Sequence, residues 1–170
     1  MSVAFVASGF CFASNVASWN ARVESTSWSS SLNYVTGLSD PITALAVGPT
    51  KLALATVGGT GTLVVYTADA FGGASVQPTK IASGLSALPS LGLGGARFYG
   101  LAARGSYVYF AHDAGVSYAP ADGSGAAKPL VVSQGVFAIT TDAKYLYYAA
   151  AKVGTANPSS EGFFRVPLPQ

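Results

Sequence analysis

The sequence predicts an all-β protein assembled from one small sheet copied along the chain. Three observations carry this reading. Apolar residues come in short runs cut by Gly, Ser, Asn and Pro, and no window holds the 3.6-residue period and capping residues of a long helix. The connections, such as Val57-Gly-Gly-Thr-Gly-Thr62 and Ala121-Asp-Gly-Ser-Gly125, have the composition of hairpin loops. A two-part motif recurs four times.

The first part pairs a small residue with a large apolar one: Ala4-Phe5, Ala44-Leu45, Gly100-Leu101 and Ala138-Ile139. The second part is an apolar run closing on alanine: Phe10–Ala13, Leu52–Ala55, Val108–Ala111 and Leu146–Ala149. From the large residue to the closing alanine the offset is ten positions in the last three copies and eight in the first. A third element follows each pair, at Ala21–Ser25, Thr62–Thr67, Gly115–Ala119 and Gly162–Leu168. A fourth follows in three copies, at Leu32–Gly37, Thr79–Gly84 and Lys128–Gly135. Four short antiparallel strands at a period near 40 residues define a propeller blade. The expected architecture is therefore β-propeller-like: about four blades of four short antiparallel strands, spanning roughly 2–40, 41–96, 97–135 and 136–170, with the last blade incomplete.

Sheet geometry explains the motif. An innermost strand lies where the sheets converge, so it carries small residues, expected at Ala4, Ala44, Gly100 and Ala138. The second strand is sandwiched between neighbouring sheets, so apolar residues occupy consecutive positions, as in Tyr145–Ala149. Two departures stand out. Leu85–Arg97 lengthens the second copy to about 56 residues against 38 to 40 elsewhere, and is expected as a surface loop. The last copy lacks an outermost strand and the first opens directly on an innermost one, so closure of a ring is expected to need blade packing or another chain.

The 170 residues suit a single domain, or part of one. Only 9% are charged, far below the usual quarter, so the solvated surface is mostly small and polar and is weakly defended against association. This points to an extracellular or cell-surface setting within an assembly, with a protein partner or a homo-oligomer. Nine basic residues are scattered against seven acidic ones, which removes the electrostatic case for nucleic acid. No apolar stretch is long enough for a membrane span. The apolar Met1–Ala13 lacks a basic leader and fits the repeat, so no signal peptide is recognised in it.

The strand Tyr107-Val-Tyr-Phe-Ala-His-Asp113 and the run Phe163-Phe-Arg-Val-Pro-Leu168 resemble the blades of bacterial secreted β-propellers of the NHL/YWTD-like superfamily. Where that superfamily shows Tyr-Trp-Thr-Asp, this chain has Tyr109-Phe-Ala-His112 and Tyr147-Tyr-Ala-Ala150, with the Asp displaced or missing. The resemblance implies six or more blades against the four counted here. Three arrangements follow: a four-bladed ring, part of a longer propeller, or a partial ring completed by a second copy.

No residue set demands catalysis, and neither an enzyme nor a cofactor is expected. His112 and Asp113 are the one adjacent acid–base pair, but neighbours on a strand point to opposite sides, so a turn or blade-edge position is expected. A lone histidine and a lone cysteine, Cys11, offer no metal set and no intrachain disulfide. Asp40, Asp69, Asp113, Asp122 and Asp142 fall mostly in turns, where Asp bonds the local backbone. A metal-dependent hydrolase would need such acids to converge on the axis. Trp19, Trp28 and Asn20 are the candidates for binding a glycan, with rings stacking on a sugar and amides bonding its hydroxyls. The reading from sequence is a structural or protein-interaction propeller, with a carbohydrate-binding propeller as the alternative and the hydrolase third.

Overall fold

The computed structural model describes residues 2–6, 9–14, 19–25, 33–40, 42–69, 76–87, 100–151 and 161–169, with backbone alone for the strands before Val35. Every regular element among these residues is a strand. The first sheet comprises β1 (Ser2–Val6), β2 (Gly9–Ser14), β3 (Trp19–Ser25) and β4 (Asn33–Leu38). The second comprises β5 (Ile42–Val47), β6 (Lys51–Val57), β7 (Thr62–Asp69) and β8 (Thr79–Ser86). The third comprises β9 (Leu101–Arg104), β10 (Tyr107–His112), β11 (Gly115–Pro120) and β12 (Lys128–Val132). The fourth has three strands, β13 (Val136–Thr141), β14 (Tyr145–Ala150) and β15 (Gly162–Pro167).

Within each sheet the strands lie in sequence order, each antiparallel to the next. Such a meander forms wherever short apolar runs alternate with tight turns. Successive sheets then pack through their first strands: β1 beside β5, β5 beside β9, and β9 beside β13. Small residues permit this approach. A Cβ on Gly48 would meet the Ala103 side chain at 3.3 Å, and one on Gly100 would meet the Ile139 backbone nitrogen at 3.0 Å.

The second strands divide their side chains between two interfaces. On β6, Leu52 and Leu54 join a core with Val35 and Leu38 of the first sheet. Ala53, Ala55 and Val57 join the core shared with the third and fourth sheets. This is the period-two alternation of a strand covered on both faces. Hydrogen bonds tie the second sheet to the third farther out, from Thr67 Oγ1 to the Ala121 carbonyl at 2.7 Å and from the Asp113 amide to the Ser86 carbonyl at 3.1 Å.

The structure corrects several expectations. The sheets are not closed into a ring: among the described residues, none of the substantial inter-sheet packings joins β13–β15 to β1–β4. What stands is a set of propeller-like sheets stacked in order. Ala44 and Gly100 are buried as expected of an innermost strand, but Ala138 is exposed, because no sheet among the described residues lies against that side of β13. In the first sheet Ala4 pairs with Cys11, and Ala13 with Ser2. The other copies pair Ala44 with Ala55 and Ala138 with Ala149, so the closing alanine of the first copy is not their equivalent. Only two residues separate β1 from β2, which pulls the register inward. The long insertion starts later than expected, since Leu85 and Ser86 belong to β8; residues 88–97 lie outside the described ones.

Candidate functional site

Two places combine side-chain chemistry with defined geometry: the buried end of the β10–β11 hairpin, and the open face of the fourth sheet.

At the hairpin end, His112 pairs in register with Gly115, and Ser117 lies across from Phe110. His112 and Ser117 are therefore diagonal neighbours on the face turned toward the second sheet. Both are buried, and His112 Nε2 lies 2.9 Å from Ser117 Oγ. Asp113 is in the turn, where its carboxylate swings back to 3.6 Å from His112 Nδ1. The sequence argument that His112 and Asp113 diverge holds for a continuing strand; the turn removes it.

A serine, a histidine and an aspartate thus lie together, but the hydrogen bonding runs against nucleophilic catalysis. The Ala114 amide donates to His112 Nδ1 at 3.3 Å, which makes Nδ1 an acceptor and leaves the ring proton on Nε2. Nε2–H then donates to Ser117 Oγ. A base for a serine hydroxyl must have its Nε2 free to accept, with the carboxylate holding the proton on Nδ1. The trio is arranged the opposite way, and it fastens the hairpin end rather than activating Ser117.

The opening of this hairpin is equally constrained. Gly115 has φ +137°, and a Cβ there would sit 2.0 Å from the Val131 carbonyl oxygen of β12. Only glycine fits. Tyr109, on the opposite face of β10, is 1% exposed and stacks on Tyr118 at 6.1 Å. Burial, then the neighbouring Tyr107 and Tyr118, pushes its phenol up from the usual value.

The second place is the side of β13–β15 that points away from the third sheet. Its rows follow from the register: Ala138, Ala149 and Phe163 in one, Thr140, Tyr147 and Arg165 in the next. Phe163 is 91% exposed. A shallow hollow of about 550 Å³ runs across these rows and is mostly apolar. Behind Tyr147, which lines the hollow, Asp142 accepts hydrogen bonds from the Lys144 and Tyr145 amides and from the Tyr147 hydroxyl, at 2.7, 2.8 and 2.7 Å. The Lys144 amide, then the Tyr147 hydroxyl and the Tyr145 amide, hold the Asp142 carboxyl below the usual carboxylate range. Arg165 lies over the Tyr145 ring at 4.7 Å. The sequence argument singled out no residue of this face as a functional one. The signal available was the strand alternation of Gly162–Pro167, which sets Phe163 and Arg165 on one face and Phe164 and Val166 on the other.

Of the residues singled out for glycan binding, Trp28 lies outside the described residues. Trp19 and Asn20 open β3, in register with Leu38 and Ser14, and their side chains also lie outside what is described. Asp69 pairs with Lys51 at 2.7 Å on the surface, and Asp122 caps its turn by accepting from the Ser124 amide at 2.9 Å. Among the described residues, no three His, Cys, Asp or Glu side chains converge as metal ligands. No described helix is long and apolar enough to cross a membrane.

No protein-family model matches the chain, and no curated protein does. Among solved structures it is similar to the crystal structure of BamB from Moraxella catarrhalis. The two are 12% identical with a TM-score of 0.49, and the match covers 87% of this chain and 39% of that one. The chain thus spans well under half the length of that structure. The propeller-like reading of this chain rests on its own strand order and on the packing of β5 on β9 and β9 on β13.

Proposed function

We propose that the chain is a non-enzymatic module, a propeller-like domain or part of one, that works through protein contact in an extracellular or cell-surface assembly. The observation that carries this is the open face of β13–β15, where a phenylalanine 91% exposed stands beside Tyr147 and Arg165. Exposed aromatic and arginine side chains on one flat surface are the composition of a protein-contact patch. The low charge of the chain, 9%, supports an associated rather than a freely dispersed state. The tautomer of His112 supports a non-catalytic reading of its cluster with Ser117 and Asp113.

The test is site-specific photocrosslinking in the producing cells. A benzoylphenylalanine placed at Phe163 is expected to give a discrete adduct, while one at Val132, equally exposed at 85% but on the edge strand β12, is not. Equal labelling at both positions, or none at Phe163, overturns the proposal.

A further inference from the structure

The equivalences between sheets say what kind of surface covers the open face. The second strands align as Leu52, Ala53, Leu54, Ala55 with Val108, Tyr109, Phe110, Ala111 and with Leu146, Tyr147, Tyr148, Ala149. Register then fixes the equivalents of Phe163: Ala149 pairs with Phe163 as Ala111 pairs with Val116 and Ala55 with Val65. Val65 and Val116 are each 0% exposed. Both belong to the core formed where a following sheet lies on the one that carries them. Tyr147 in turn corresponds to Ala53 and Tyr109, which are 0% and 1% exposed. The open face of β13–β15 is therefore the next step of an interface that the chain already builds between its second and third sheets and between its third and fourth.

What lies on that interface inside the chain is always the opposite face of another sheet of the same kind. The first sheet packs on β5, and none of the substantial packings among the described residues engages its other side. We infer that the open face of β13–β15 binds the first sheet, β1–β4, of a second copy of this chain, head to tail. Such a contact is heterologous and repeats the internal step between chains. The inference rests on the protein-contact reading proposed above and names the partner.

The experiment uses the purified full chain. Analytical ultracentrifugation across a hundredfold range of concentration is expected to show association to a dimer or a larger closed assembly. Phe163→Glu is expected to weaken association at least tenfold with an unchanged melting temperature, since the ring is exposed, and Val132→Glu to leave association unaltered. To separate head-to-tail from face-to-face contact, tagged Phe163→Glu chain is mixed with untagged natural chain. Capture of the natural chain supports the inference, because the variant keeps an intact β1–β4; loss of capture overturns it. A natural chain that stays monomeric throughout also overturns it. If photocrosslinking at Phe163 yields adducts of a different protein only, the protein-contact reading stands and this inference fails.

Discussion

The third and fourth sheets are built from nearly the same pattern, yet they end in different environments. In the third, β10 from Val108 to His112 is buried without a break, because the second sheet covers one face and the fourth covers the other. In the fourth, Leu146 is buried against the third sheet while Tyr147, on the opposite face, remains partly exposed, because no sheet among the described residues packs on that face. The chemistry of the strand is the same; coverage decides whether an apolar run becomes core or contact surface.

Substitutions at matched positions sharpen this contrast. The largest difference is expected at the glycines that open β11 and β15. Both have similar positive φ, 137° at Gly115 and 135° at Gly162. However, a Cβ at Gly115 collides with the Val131 carbonyl at 2.0 Å, whereas at Gly162 it would only touch the Phe164 ring, at 3.7 Å. Gly115→Ala should cost roughly 3–5 kcal/mol, and Gly162→Ala roughly 1–2 kcal/mol for backbone strain alone. Urea denaturation of the two variants measures both.

Next is the aromatic pair. Tyr109→Ala removes a fully buried ring and should cost about 3–5 kcal/mol. Tyr147→Ala, at the equivalent position, should cost under about 1 kcal/mol in the dilute chain. Equal losses in thermal denaturation would show that the two faces are covered alike.

A smaller effect is expected at the hairpin end. Ser117→Ala leaves the His112 Nε2–H buried without its acceptor, at a cost of about 1–3 kcal/mol. No esterase or acyl-transfer activity is expected to be lost, since none is assigned to this serine. Labelling of Ser117 by a fluorophosphonate probe in the folded protein would contradict the assigned tautomer.

The smallest effect concerns pH. Asp142 is held below its ordinary value near 3.8, chiefly by the Lys144 amide and then the Tyr147 hydroxyl. A depressed carboxyl stabilises the fold above its unfolded pKa, and that contribution disappears as pH falls through the folded value. Asp142→Asn should therefore lower the melting temperature slightly at pH 7, and the deficit should shrink as pH falls below the ordinary carboxylate value and vanish once the folded carboxyl is protonated. A deficit that persists at low pH would assign the effect to geometry instead of charge.

Much of the sheet pattern was legible in the chain. Ala44-Leu45 with Leu52–Ala55 marks a first and second strand because small residues allow close approach while alternating faces bury both Leu54 and Ala55. The shifted pairing of Ala4 with Cys11 was not legible, since a two-residue connection resets register without altering composition. Nor was the His112–Ser117 contact, which depends on a diagonal across the hairpin that spacing alone leaves open. The exposure of Ala138 and Phe163 escaped for a related reason. Sequence records that a face is apolar, whereas only the assembled sheets reveal which faces have a neighbour.

The central claim is that the Phe163 ring is a buried contact in the working protein, and its environment can be read directly. With 4-fluorophenylalanine placed at position 163 alone, the fluorine resonance is predicted to move from a solvent-exposed position at low concentration to a distinct, broadened, solvent-protected one as concentration rises. A single sharp resonance that keeps its full solvent isotope shift at every concentration would contradict the account.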